Sequence, residues 1–442
     1  MMTETQLAIV MFLGLIGLIV AGFHVAFVLG ILALIFGYIA WGMDLIAMLP
    51  ARTMTMMTSY EMEAITLFIF MGCMLEQAGI AERLYSTMHL LMGRLKGGLL
   101  LGTMIAIIIF DACTGIAGTT VVMMGLVAMP AMLSRNYDKS MIAGCIAGGG
   151  GLGVIIPPSI MLILYGPASG IGIARLFIAA VVPGLILGIS YLTYIGIRCA
   201  INPKLGPPLP PETRKEITKG KMFLLVIRDL FPPVALILGV LGSIFAGIAS
   251  PTEAAGVGAF ISLLLTALYG RLTFVTMQKA LLTLAKTCGM VFLIMLLAGF
   301  FTTSFMALGG AEVIEAFIFG ISGGNKLVSI MIMLLIVFVL GMFMDWIGIL
   351  LVIVPIFVPI LKTIGADPVW FALLFCVVLK MSYITPPFAY NIFFLKGVAP
   401  PEVTDGDIIR GVVPYLFIEL PTLILLYIFP QLTLWLPKLM LN

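Results

Sequence analysis

Gly148-Gly-Gly-Gly-Leu-Gly-Val-Ile-Ile-Pro-Pro-Ser159 lies inside a long apolar run, and no helix can pass through it unbroken. Each proline removes an amide donor and clashes with the preceding turn. The carbonyls released there need partners wherever water is scarce. A second such break, Ser382-Tyr-Ile-Thr-Pro-Pro387, follows about 229 residues later. Further features recur at nearly the same offset: Met129-Pro130 with Val358-Pro359, Val181-Val-Pro183 with Val412-Val-Pro414, and Ala78-Gly79 with Gly309-Gly310. Recurrence at a fixed spacing marks an internal repeat.

The surrounding composition fixes the solvent. The chain has 442 residues, of which 62% are hydrophobic and 10% charged. A soluble domain is about 45–50% apolar and about 25% charged, so this chain uses the bilayer as its solvent. The apolar segments, near 6–42, 63–80, 99–134, 140–168, 172–200, 222–248, 251–269, 279–308, 327–361, 368–396 and 408–436, predict an all-α polytopic protein. At about 20 residues per span they give roughly ten or more crossings. The apolar run from residue 6 continues past residue 40 without a basic start, so it reads as part of the mature protein rather than a cleaved signal.

Several function classes drop out. A net charge of +3 with scattered basic residues excludes a nucleic-acid partner. The six cysteines, in apolar stretches without close pairing and with only two histidines, support neither disulfides nor zinc. No phosphate-binding Gly-x4-Gly-Lys-Ser/Thr occurs, since Gly220-Lys221 is followed by Met222, so ATP does not drive this chain. The 31 methionines are dispersed among leucines and read as packing side chains. The linker 201–228 carries Lys204, Arg214, Lys215, Lys219, Lys221 and Arg228 against Glu212 and Glu216, which places it in the cytoplasm. The first 51 residues hold no Lys or Arg, which favours an amino terminus outside without fixing its orientation.

The stretches 99–134 and 327–362 are too long for one span and too short for two. Each reads as a re-entrant hairpin, with tips at Asp111–Thr119 and Gly341–Trp346. Irregular backbone at that depth is tolerated where it lines a cavity, and paired broken segments point to a secondary transporter's binding site. Released carbonyls and hydroxyls are hard oxygen ligands suited to sodium: Thr114 and Gly115 beside the first break, and Asp345 with Ser382–Pro387 at the second. Asp111, Asp345 and Lys380 are ionisable at depth, where each costs at least about 2.5–3.5 kcal/mol. Lys380 is read as the residue that neutralises an anionic substrate, or else as half of an ion pair with Asp345 or another carboxylate. Asp111 and Asn391 join it as candidates for substrate contact. Glu253 reads as a helix cap after Ser250-Pro251, and His24 as a satisfied polar residue at a helix break.

Together Gly150–Ser159, Ser250-Pro-Thr-Glu-Ala-Ala-Gly256, Gly341-Met-Phe-Met-Asp-Trp-Ile347, Thr385-Pro-Pro-Phe388 and Leu395-Lys-Gly-Val-Ala-Pro400 resemble the large membrane (M, DctM-like) subunit of tripartite ATP-independent periplasmic (TRAP) transporters. The resemblance covers nearly the whole chain. It implies two inverted repeats in an elevator-type permease of the bacterial inner membrane, with a scaffold and a mobile transport domain. It also implies a small membrane (Q) subunit, a periplasmic binding protein and sodium-coupled uptake of a small organic anion, a carboxylate or sulfonate. A stand-alone sodium- or proton-coupled symporter is the alternative.

Carried onto this chain, residues 1–62 are scaffold helices and 63–200 the first repeat, with hairpin 99–134 and broken helix 140–168. Residues 229–308 connect to the second repeat, 309–442, with hairpin 327–362 and broken helix 368–396. The resemblance implies sodium ligands from Thr114, Gly115, Gly151, Val154 and Pro157, and from the second tip with Ser382, Thr385 and Pro386. The chain departs from the family in reading Thr114-Gly-Ile-Ala-Gly-Thr-Thr120 where many members have Ser-Gly-Ser. It also has Lys380 and Ala389 in place of Gln and Gly, and Thr66 in place of Pro.

Overall fold

A computed structural model of the chain describes residues 3–115, 117–208, 219–387 and 389–440. The charged centre of the linker, including Glu212, Arg214, Lys215 and Glu216, and Phe388 lie outside the described residues. Among the described residues every regular element is helical.

Three helices, α1 (Glu4–Val20), α2 (Val25–Trp41) and α3 (Asp44–Met57), precede a bent pair, α4 (Tyr60–Gln77) and α5 (Ile80–Met92). A hairpin follows, α6 (Gly98–Thr114) and α7 (Ala117–Leu133), then a broken helix, α8 (Lys139–Gly149) and α9 (Ile160–Ser169), and the long α10 (Ile173–Ile201). Beyond the linker, α11 (Lys219–Leu225) passes through a π-helical turn at Val226–Leu230 into α12 (Phe231–Phe245), and α13 (Pro251–Leu268) follows. The succession then recurs. The pair is α14 (Phe274–Ala307) and α15 (Gly310–Ser322), the hairpin is α16 (Lys326–Gly341) and α17 (Trp346–Thr363), and the broken helix is α18 (Pro368–Ser382) and α19 (Tyr390–Val398). The long α20 (Asp405–Ile428) and α21 (Gln431–Met440) complete it. Gly79 and Gly309, at matching joints, both take left-handed φ values of 70° and 72°, and α4 and α5 meet at 58°.

Local chemistry sets the boundaries. Thr3, Ser250 and Thr404 close capping boxes with Gln6, Glu253 and Asp407 at the starts of α1, α13 and α20. Glu253 is thus a cap, its carboxylate accepting the Ser250 amide at 2.7 Å. His24 caps α2 by accepting the Ala26 amide through Nδ1.

Six helices are long and apolar enough to cross a membrane, or seven if the bent pair α4–α5 is one span. This is fewer than the count of apolar runs implied, because glycine and proline cut those runs into helices such as α6 and α16. At 1.5 Å per residue, a 17-residue helix reaches only about 25 Å of the roughly 30 Å hydrocarbon core. Burial divides the molecule. Every residue of α18 from Val369 to Ser382, and of α8 from Met141 to Gly149, is buried. A helix apolar on all sides belongs in the interior, and these two broken helices form the centre. Phe27, Ile31 and Tyr38 of α2 and Phe274 and Leu282 of α14 face outward, as apolar side chains in contact with lipid do.

Candidate functional site

The tip of each hairpin packs against a break. Asp111, in the last turn of α6, is fully buried, and its Oδ2 accepts the amides of Gly151 (2.9 Å) and Gly153 (3.0 Å). Gly151 has φ +89°, and a Cβ on Gly153 would lie 2.5 Å from the Asp111 carbonyl oxygen, so glycine is required for this approach. Gly115 ends α6 in a left-handed turn whose amide bonds the Asp111 carbonyl at 2.7 Å. The Thr114 hydroxyl donates to the Phe110 carbonyl (3.0 Å), while the Val154 carbonyl accepts from Ser159 (2.7 Å) and the Gly151 carbonyl from the Val154 amide (3.2 Å). Pro157 is joined to Pro158 by a cis peptide, as Pro386 is to Pro387.

The second break repeats this packing with other residues. A Cβ on Gly341 would lie 2.2 Å from Ser382 Oγ, so the hairpin tip sits directly on the end of α18. Ser382 donates to the Leu379 carbonyl (2.6 Å) and Thr385 to the Met381 carbonyl (2.8 Å), and Pro386 is exposed. Asp345 caps α17, its Oδ2 accepting the Ile347 amide at 3.2 Å.

Of the three residues expected at the substrate, Lys380 and Asn391 lie in the packed interface between the two broken helices, and Asp111 sits where the first hairpin meets the first break. Lys380 is fully buried and pairs with Glu419 of α20 rather than with Asp345. Its ammonium also donates to Tyr191 Oη (2.6 Å) and the Gly148 carbonyl (3.0 Å), and the Tyr191 hydroxyl donates to Glu419. Asn391 Nδ2 donates to the carbonyls of Ala147 (2.9 Å) and Gly150 (2.7 Å). The carbonyls freed at the first break are therefore taken by side chains of the second broken helix, because a buried acceptor binds the nearest donor.

Between the two tips lies a cavity of about 300 Å³. First-turn residues of four helices line it: Gly118 and Thr119 of α7, Ile160 of α9, Trp346 and Ile347 of α17, and Tyr390 of α19. Asp345 and Tyr383 complete that side, and Ile69 and Glu76 of α4 with Thr287, Met290 and Val291 of α14 form the opposite one. None of Lys380, Asp111 and Asn391 borders it. Glu76 and Glu419 escaped the sequence reading although both interrupt apolar runs, which is the signal that singled out Lys380. Thr120, one residue past the predicted first tip, was likewise not singled out.

The oxygen set near the first tip fits a hard monovalent cation. The Thr120 side chain bears on the Asp111 carboxylate, and neither Asp111 Oδ1 nor Thr120 Oγ1 has a hydrogen bond of good geometry, so a cation between them would meet two buried oxygens. Among the described residues no group of three or more His, Cys, Asp or Glu could hold a metal ion, so the available ligands are of the carbonyl, hydroxyl and single-carboxylate kind.

Comparison with known proteins agrees with this architecture. Residues 12–432 match the family model "Tripartite ATP-independent periplasmic transporter, DctM component". The chain is 32% identical over 384 residues to the C4-dicarboxylate TRAP transporter large permease protein DctM of Pseudomonas aeruginosa, covering 86% of each chain. It is 30% identical to the 2,3-diketo-L-gulonate TRAP transporter large permease protein YiaN of Escherichia coli, covering 85% of this chain and 86% of that one. The fold is similar to the crystal structure of the Alcanivorax borkumensis YdaH transporter, with a TM-score of 0.60, 16% identity and coverage of 97% and 98%. With its apolar spans, paired hairpins and broken helices, the chain belongs to the DctM component family of tripartite ATP-independent periplasmic transporters, integral inner-membrane permeases rather than enzymes.

Proposed function

We propose that this chain is the sodium-coupled permease through which a small organic acid, delivered by a periplasmic binding protein, crosses the inner membrane, with a small membrane subunit as its partner. The observation that carries this reading is the convergence of four helix N-termini, those of α7, α9, α17 and α19, on one cavity between the hairpin tips. A helix N-terminus carries about half a positive charge, and although Ser159 and Asp345 already accept first-turn amides of α9 and α17, that of α19 has no side-chain cap, so the shared space favours an anionic group. Half-helix ends at a midplane cavity are also how secondary transporters hold carboxylates. The relatives named for C4-dicarboxylate and 2,3-diketo-L-gulonate carry acids of this kind.

Sodium would bind between Asp111 Oδ1 and Thr120 Oγ1, beside the cavity rather than in it. At 100 mV each inward sodium contributes about 2.3 kcal/mol, so two or more ions with one monoanion drive accumulation. The two element series act as inverted repeats. The hairpins and broken helices move as a unit against α4 and α14, because the cavity lies on the boundary between these groups.

The test is reconstitution of the permease with its small subunit and binding protein in liposomes. Radioactive sodium influx should rise when an organic acid retained by the binding protein is added, and acid uptake should collapse when choline replaces sodium. Uptake undiminished in choline contradicts the reading, and uptake that needs no binding protein contradicts its tripartite part.

A further inference from the structure

The cavity has a second chemical character that a simple dicarboxylate leaves unanswered. Two carboxylates line it, Glu76 and Asp345, and no Lys, Arg or His does among the described residues. His24, which bears on Asp345 through space, is an exposed cap on α2 and is not a lining residue. The Glu76 side chain makes no hydrogen bond or ion pair with any described residue, although it is partly buried at the C-terminal end of α4, inside an apolar run. A carboxylate left without a partner at that depth is costly and functional by default.

The same wall is aromatic. Trp346, Tyr383, Tyr390 and Phe394 all face the cavity, with the Tyr390 and Phe394 rings edge to face at 4.6 Å between centroids and Tyr383 and Tyr390 at 6.0 Å. Tyr383 is 2% exposed and its hydroxyl has no partner, so a polar atom buried in this wall awaits a ligand. Ring faces attract organic cations, and aromatic residues grouped with carboxylates are how proteins recognise substituted ammonium groups.

We propose that the transported acid also carries a positively charged nitrogen, making it a zwitterion whose ammonium or amidinium group sits against Glu76, Asp345 and the aromatic wall. This rests on the organic-acid reading, since the carboxylate of the same solute faces the helix N-termini. The cavity thereby satisfies both ends of one small molecule. A dicarboxylate would bring like charge against Glu76 and Asp345.

The test is calorimetric titration of the purified permease with its small subunit, in sodium, with glycine betaine, succinate and tetramethylammonium as probes. Betaine should bind at least about tenfold tighter than succinate, the size of effect expected of a cation on an aromatic and acidic wall. Glu76→Gln should weaken betaine about tenfold without changing the unfolding temperature, because the carboxylate has no structural partner to lose. Succinate binding as tightly as betaine overturns this inference and leaves the organic-acid reading standing. Tetramethylammonium binding while neither carboxylate does overturns both, and binding of none of the three overturns the inference.

Discussion

Lys380 and Glu419 form an ion pair in which neither side chain reaches solvent, tying the second broken helix to α20. The Tyr191 hydroxyl and the Gly148 carbonyl complete the arrangement, so a residue of α10 and the glycine-rich end of α8 share one charge. A buried pair is costly to assemble and more costly to break, because removing one partner strands the other. Lys380→Met should therefore destabilise the protein by about 3–5 kcal/mol. The double substitution Lys380→Met with Glu419→Leu should recover most of that loss. Thermal unfolding of the three variants in one detergent decides it, and additive losses would show that the pair acts as two independent residues.

The close approaches at the two tips make a paired forecast. Gly153→Ala places a methyl 2.5 Å from the Asp111 carbonyl oxygen, and Gly341→Ala places one 2.2 Å from Ser382 Oγ. Overpacking of this kind costs about 1–3 kcal/mol. At the second tip the obstacle is a side chain, so Ser382→Gly should restore much of the stability lost in Gly341→Ala. Nothing equivalent relieves Gly153→Ala, where the obstacle is backbone. Failure of the second-site change to restore stability would mean that the α16 tip and the α18 end do not meet as described.

Asn391 supports the first break from the second. Its amide satisfies the Ala147 and Gly150 carbonyls, and Asn391→Leu would leave both unpaired. Each stranded acceptor costs about 1–3 kcal/mol, so this variant should unfold well below the parent while Asn391→Asp, which keeps an oxygen but loses the donor, should fare no better. A stable Asn391→Leu protein would show that other groups or water take over those carbonyls.

The breaks were legible in the sequence because Pro157-Pro158 and Pro386-Pro387 forbid a continuous helix whatever surrounds them. Asp345 was legible too, as a charge at a predicted tip, and it borders the cavity. The partner of Lys380 was not. Glu419 lies 39 residues away, and which carboxylate meets the lysine depends on how α18 and α20 cross. Glu76 obeyed the same rule about charge in an apolar run but sits beside the α4–α5 bend rather than at a Pro-Pro break, and its place on the cavity follows only from α4 facing the hairpin tips. The roughly ten crossings read from apolar length exceed the six or seven helices long and apolar enough to span, since length does not reveal where glycine and proline interrupt a helix.

The proposed coupling rests on sodium bound jointly by the first tip and the first break. The most direct measurement is the unfolding temperature of the permease with its small subunit in sodium, potassium and choline at constant ionic strength, for the parent and for Thr120→Val. A ligand that binds only the folded state raises stability by mass action. A saturable rise specific to sodium is expected in the parent. A much smaller rise is expected in Thr120→Val, which keeps the side chain's volume and loses the hydroxyl beside Asp111. Identical unfolding temperatures in all three cations, or an undiminished sodium response in Thr120→Val, would contradict that joint binding.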